Sequence, residues 1–330
     1  VSVLLSLELV WQNIISPPIL FFALGVLAAL LGSDLKIPDA AGATIAVFVL
    51  TSIGLRAGVA VSKVGISEVI LPALLAVLTG ILLAVMVYSI FTGVTKLDTA
   101  NAASLAGHYG AVSSVTLALS LVYLENVGAG FEQFVPALYP FMDIAALITA
   151  VVLARAGMAV KNGKSVPLAR VIYEAMISKS SFLLIGGFLI GLVNGVVGTE
   201  AIMPLFDLMF PGVLTILMLD IGLLAGSRLP YLLSVDKRVF AVGLVLPPIH
   251  GLVAVILATV IGLSPGGATI FAALAAGASY ISAPSVMRTA IPKANPSLSL
   301  AMALGLAFPF NVTVGIPLYY QAAKLISQLL

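Results

Sequence analysis

The chain has 330 residues, 61% of them hydrophobic and only 8% charged, with a mean hydropathy of +1.22. Soluble domains hold about 45–50% apolar residues, so the composition excludes a soluble enzyme or binding module and describes a polytopic membrane protein. The net charge of +2 resides in connections and gives no footing for nucleic-acid binding, while the absence of cysteine excludes disulfides, thiol catalysis and thiolate metal sites.

Residues 1–15, with Glu8 and Trp11, read as an interfacial segment. They lack a basic n-region, so no cleavable signal peptide is expected. Runs of about 20 apolar residues then place ten spans, at 17–32, 40–58, 68–92, 98–124, 133–155, 178–195, 204–227, 238–262, 267–290 and 297–323. The first is short and opens on Ser16-Pro17-Pro18. Connections after odd-numbered spans hold 12 of the 15 basic residues: Lys36, Lys96, Arg155, Lys161, Lys164, Arg170, Lys179, Arg228, Lys237, Arg238, Arg288 and Lys293. Those connections are therefore expected in the cytoplasm, with both termini outside.

The fourth span contains Ala106-Gly107-His108-Tyr109-Gly110-Ala111-Val112-Ser113-Ser114-Val115, and the ninth contains Ala276-Gly277-Ala278-Ser279-Tyr280-Ile281-Ser282-Ala283-Pro284-Ser285-Val286. Each interrupts an apolar run with Gly, Ser and Tyr, the composition of a membrane helix broken at mid-depth. Glycine frees the backbone, serine caps the next half-helix, and the exposed N–H groups receive an anion. Broken helices in corresponding halves of a chain point to the substrate site of a secondary transporter.

An internal repeat supports that reading. Ile53-Gly54-Leu55-Arg56-Ala57-Gly58 returns as Ile221-Gly222-Leu223-Leu224-Ala225-Gly226, 168 residues later. Tyr109, Ser114 and Val115 match Tyr280, Ser285 and Val286 at 171, and Pro140-Phe141 matches Pro309-Phe310 at 169. A repeat of five spans is odd, so the second copy must sit inverted. The expected organisation is residues 1–156 as the first repeat, 157–177 as a cytoplasmic connection and 178–330 as the second repeat.

Ser113 and Ser114 are candidates for presenting N–H groups to an anion, rather than serving only as small helix-packing residues. Ser282, followed by Pro284, has the spacing of an N-cap with proline in the first helical turn. Tyr109 and Tyr280 read equally as hydroxyl donors to the anion or as residues satisfied at helix crossings. Asp143 lies deep in the fifth span, where a carboxylate is costly enough to mark a functional site. It is the first candidate sodium ligand, with Asn311 and Ser279 as neutral oxygen donors. His108 reads as a possible proton carrier or as a neutral, hydrogen-bonded core residue. His250 reads as structural, Asp220 as an interhelical contact and Asp207 as interfacial. No second His or carboxylate stands at metal-ligand spacing, so no metal other than sodium is expected.

The strings Gly110-Ala111-Val112-Ser113 and Ala137-Leu138-Tyr139-Pro140-Phe141-Met142-Asp143-Ile144 resemble the sodium-dependent bicarbonate transporter family, best known from cyanobacteria. His250-Gly251, Ile281-Ser282, Ile291-Pro292 and Ala294-Asn295-Pro296-Ser297 extend the resemblance through the second half. It implies ten helices in two inverted repeats, with a core domain (spans 3–5 and 8–10) moving against a gate domain (spans 1, 2, 6 and 7). It also implies a homotrimer in a bacterial plasma membrane and a cytoplasmic PII-like regulator. The chain departs from the family at Tyr280, where the relatives carry an acidic residue before Ile-Ser, and at His108-Tyr109, where they are apolar.

The resulting expectation is an all-α secondary transporter of a small anion, bicarbonate or a small carboxylate, coupled to sodium by an elevator-type movement and needing no cofactor. Proton coupling through His108, or another substrate on the same fold, is the alternative. A passive channel is a third reading. An intramembrane aspartyl protease built on Asp143 and Asp220 is a fourth, but Asp220 sits in Met218-Leu219-Asp220-Ile221 without the Gly-x-Gly-Asp context such enzymes need.

Overall fold

The structure, a computed structural model, describes residues 2–157 and 167–329. Among them every regular element is helical and no strand occurs. The first half contains α1 (Ser2–Ile14), α2 (Pro17–Leu30), α3 (Asp39–Val64), α4 (Ser67–Gly93), α5 (Thr99–Gly110) and α6 (Ser114–Asn126). A tight turn at Val135–Leu138 leads into α7 (Tyr139–Gly157). Lys161 and Lys164 lie outside the described residues. The second half contains α8 (Leu168–Met176), α9 (Lys179–Thr199), α10 (Met203–Leu232), α11 (Lys237–Val260), α12 (Pro265–Ala276) and α13 (Ser282–Ala290). Last comes α14 (Pro296–Ser327), which widens into π-helical turns at Ala303–Ala307 and Asn311–Gly315.

Eight helical segments are long and apolar enough to cross a membrane, counting α5 with α6 as one, and the chain is a multi-pass membrane protein. A ninth candidate joins Glu8–Ile14 to Pro17–Leu30 across a bend of 56°. The expected interfacial segment is thus helical and docked: Asn13 Nδ2 donates to the carbonyls of Val312 and Thr313 at 2.7 and 2.8 Å. The ninth expected span, 267–290, is not one apolar helix. It is divided into α12 and the more polar α13 by five non-helical residues.

Glycine sets how closely the outer helices pair. Gly54 and Gly58 of α3 face Gly187 and Gly191 of α9, and a Cβ on Gly54 would fall 2.6 Å from the Leu184 carbonyl oxygen. The α2–α10 pair repeats the arrangement, with Gly222 against the Phe22 carbonyl and a Cβ on Gly226 reaching 2.8 Å from the Val26 oxygen. The two copies of the Ile-Gly-…-Gly motif are therefore the contact faces of two close helix pairs, with small residues four apart letting backbones touch.

The inner helices pack in two similar groups, α4 with α5 and α7, and α11 with α12 and α14. Each group's broken helix is tied at its start to the loop that follows the other's break. Glu132, beyond α6, accepts from Ser264 N and Oγ at the start of α12 (2.7 and 2.8 Å). Asn295, beyond α13, donates its N–H to Asn101 Oδ1 at the start of α5 (2.7 Å). The α5–α6 segment is enclosed on all sides, every residue of its most apolar stretch being buried. Its break consequently lies in the interior and away from lipid.

Candidate functional site

The first break is Ala111-Val112-Ser113, with Ala111 and Ser113 extended; the second is Gly277-Ala278-Ser279-Tyr280-Ile281. The two cross. Ser279 N donates to the His108 carbonyl at 2.8 Å, and a Cβ on Gly277 would stand 2.9 Å from Ser113 N. Gly277 is needed for this approach and not for backbone freedom, since its φ is −59°. Gly107 and Gly110 do not break their helix. Both remain helical; Gly107 makes room for the Met287 side chain and Gly110 packs on Ala84.

Serine caps both half-helices that leave the crossing. Ser113 Oγ accepts from Thr116 N at 3.2 Å, as the sequence suggests, and Ser114 is the first residue of α6. At α13 the cap is Ser279, which accepts from Ala283 N at 3.1 Å. Ser282 is already helical, and its hydroxyl turns instead to Asp143 Oδ1 at 3.2 Å. Ser279 and Ser282 Oγ lie 2.7 Å apart. Because the Ser282 proton goes to the carboxylate, Ser279 donates to Ser282, and a directed chain runs from Ala283 N–H through both hydroxyls to Asp143. Such chains strengthen link by link in a low dielectric.

Asp143 is completely buried on α7. Oδ1 also accepts from Val112 N at 3.0 Å, so one oxygen holds both breaks together. Oδ2 has no partner, and Asp143 forms no ion pair among the described residues. Asn311 performs a related service on α14: its Nδ2 donates to the Ala276 carbonyl at 2.6 Å, and Tyr319 OH donates to its Oδ1 at 2.7 Å. Both ends of the amide are thus committed, and Asn311 orients the last carbonyl of α12. No cluster of three or more His, Asp or Glu side chains occurs among the described residues.

The remaining candidates divide. Tyr280 lies at the crossing with its hydroxyl unpartnered and its ring edge-on to Phe308 at 5.5 Å. Tyr109 points elsewhere, its hydroxyl donating to the Met302 carbonyl at 3.1 Å. His108 is buried, with Nδ1 2.8 Å from the Ser104 carbonyl and Nε2 unpartnered. His250 is also buried, and neither ring nitrogen has a hydrogen-bond partner. Asp220 faces Gly42 of α3 as an interhelical contact, and Asp207 is half-exposed.

Four groups escaped the sequence reading. Tyr139, four residues before Asp143 on one helix face, donates toward the Val112 carbonyl at 3.4 Å. That spacing was visible in the sequence. Ser180 and Ser181 at the start of α9 are buried with unpartnered hydroxyls, and only tertiary packing determines this. Arg56, which breaks the apolar run of α3, pairs with Asp207 at 2.9 Å and reaches Glu125 of α6 at 3.7 Å.

The two breaks thus cross at a buried carboxylate, with the N-termini of α6 and α13 both at the crossing. Residues 17–324 match the Na+-dependent bicarbonate transporter superfamily. The chain belongs to this superfamily. No curated protein matches it. Membership covers nearly the whole chain and makes the protein a membrane transporter. The family match gives the protease reading no support, and among the described residues Asp143 and Asp220 share no hydrogen-bonding partner.

Proposed function

We propose that this member of the superfamily is a secondary transporter that carries bicarbonate together with sodium. The observation that carries the reading is the unpartnered Oδ2 of Asp143, fully buried at the crossing of the two breaks. A carboxylate oxygen buried without a hydrogen-bond partner is costly even beside two helix N-termini, and it leaves an open position for a cation. That oxygen, with the Ser279 and Ser282 hydroxyls and the Ala276 carbonyl held by Asn311, supplies the hard oxygen donors that sodium prefers.

The charge balance gives the coupling. Each helix N-terminus contributes about half a positive charge, so the two together roughly offset Asp143. Bicarbonate at the Ser113, Ser114 and Ser282 side of the crossing then adds one negative charge, which one sodium ion neutralises. Neither ion is favoured alone in that interior, which is the condition for coupled movement. Tyr280, with its free hydroxyl, is assigned to the anion; Tyr109 supports the fold through Met302.

We read the spans as ten: α2, α3, α4, α5–α6, α7, α9, α10, α11, α12–α13 and α14. They form two inverted five-span repeats. The reciprocal glycine pairs and crossed loop ties support this. The pairs α2–α10 and α3–α9 make the gate, the other spans make the core, and an elevator-type movement of the core carries the site. Trimeric assembly and a PII-like cytoplasmic regulator belong to the same proposal.

The test is uptake by purified protein in liposomes, using labelled bicarbonate and small carboxylates under separately imposed sodium and proton gradients. Bicarbonate accumulation driven by sodium alone is expected. Accumulation driven only by protons would replace sodium with His108 or Asp143 protonation, and ohmic current without exchange would make the protein a channel.

A further inference from the structure

Beside the crossing lies a cavity of about 170 Å³, between α5, α13 and the turn that leads to α14. At about 30 Å³ per water it has room for a small polyatomic ion with some hydration. Its walls are largely apolar, from Met287, Ile291 and Pro292, and its polar groups are Ser104, His108 and Arg288. The Ser104 hydroxyl is already paired with Ser299 at 2.8 Å. His108, whose Nε2 has no partner, and the exposed Arg288 are therefore the lining groups left to meet a ligand.

Their chemistry differs in a way that selects one. His108 Nδ1 is 2.8 Å from the Ser104 carbonyl, which can only accept, so Nδ1 carries the proton. In the neutral ring Nε2 is then a bare acceptor. It is buried within a residue only 1% exposed and has no partner. Arg288 is exposed at the mouth and enters no ion pair among the described residues. A ligand satisfying both must carry an anionic oxygen pair for the guanidinium fork and a hydroxyl proton for the imidazole.

We propose that this cavity is a second binding site, specific for a small oxyanion that also bears a hydroxyl, held between Arg288 and His108 before or after it occupies the crossing. The assignment of bicarbonate as that oxyanion rests on the function proposed above. The two sites are distinct but adjacent: the His108 carbonyl accepts from Ser279 N in the crossing, and the same residue lines the cavity. Met287 lies over Gly107 as part of the wall between them. The site distinguishes bicarbonate from formate or nitrate, which present the charge without a proton to donate.

The chain has no cysteine, so Pro292→Cys at the cavity mouth gives a single reporter thiol. Its labelling rate by a thiol reagent is measured on detergent-purified protein with bicarbonate, formate or chloride at equal ionic strength. Bicarbonate is expected to slow labelling several-fold and formate not at all. Protection should persist with Asp143→Asn, which removes the charge at the crossing, and disappear with Arg288→Gln or His108→Phe. Arg288 is exposed, so its variant stands if His108→Phe fails to fold. Equal protection by formate, no protection by bicarbonate, or protection lost with Asp143→Asn would each overturn the second site. Loss of sodium-driven uptake in liposomes with protection intact would instead remove the transport reading and leave the cavity assignment standing.

Discussion

Gly54→Ala tests whether the α3–α9 pair is a rigid scaffold. A Cβ on Gly54 would lie 2.6 Å from the Leu184 carbonyl oxygen, 3.1 Å from Leu184 Cα and 3.2 Å from Gly187 Cα, against an ordinary contact distance of at least 3.4 Å. All three neighbours are backbone, so no rotamer change relieves the clash, and the helices must part locally by about 0.8 Å, the difference between 3.4 and 2.6 Å. A gap of 0.5–1 Å forfeits roughly a quarter to a half of each dispersion contact it touches. Overpacking of this kind costs about 1–3 kcal/mol. With roughly 2–4 °C of melting temperature per kcal/mol for a larger domain, the expected fall is roughly 2–12 °C. Gly186, next to Gly187 on α9, is the internal control, because nothing lies within 4 Å of its Cβ position. Gly186→Ala should be neutral or stabilising by up to about 1 kcal/mol, the helix-propensity difference. Thermal unfolding followed by size-exclusion chromatography of the heated samples reads both. Equal melting of Gly54→Ala and wild type would refute the close-packed scaffold.

Three further outcomes follow from the site. Ser279→Ala removes the α13 cap and the first hydroxyl of the chain to Asp143; it should cost about 1 kcal/mol and weaken sodium-dependent stabilisation, whereas unchanged sodium titration would detach Ser279 from the ion. Tyr280→Asp adds a carboxylate where the anion is placed, which repels it unless a cation accompanies it; bicarbonate uptake should become more steeply dependent on sodium, and superimposable curves would place Tyr280 outside the site. Arg56→Gln loses the Asp207 and Glu125 contacts together with the bond to the Phe206 carbonyl and the packing on Phe210, from a side chain only 17% exposed; the loss should exceed the roughly 1 kcal/mol ceiling of a solvated surface pair, and a smaller loss on thermal unfolding would mean the guanidinium is well solvated.

The sequence carried those parts of the architecture that depend on local composition. The broken helices were legible because Gly, Ser and Tyr cannot sit in a lipid-exposed apolar run without a reason, and Asp143 because its depth demands one. What the glycines do was less legible. Gly107 and Gly110 promised backbone freedom but serve close packing, since nothing local distinguishes a glycine needed for φ from one needed for space. The cap at α13 moved from Ser282 to Ser279 because Asp143, from another helix, competes for the Ser282 hydroxyl. The same limit hid Ser180 and Ser181, whose importance exists only once α9 is packed against its neighbours. Asn311 was legible by position, but its amide is occupied on both ends by partners 35 and 8 residues away.

The central claim is that the Asp143 carboxylate binds the coupling cation. Asp143→Asn keeps the shape and one acceptor for Val112 N and Ser282 while removing the charge. Sodium-gradient-driven bicarbonate uptake should be lost or shifted to much higher sodium concentration, and sodium should no longer raise the melting temperature, an effect that for a ligand at 100 times its Kd amounts to about 2.7 kcal/mol. A folded Asp143→Asn protein with the wild-type sodium dependence of both uptake and melting would contradict the account.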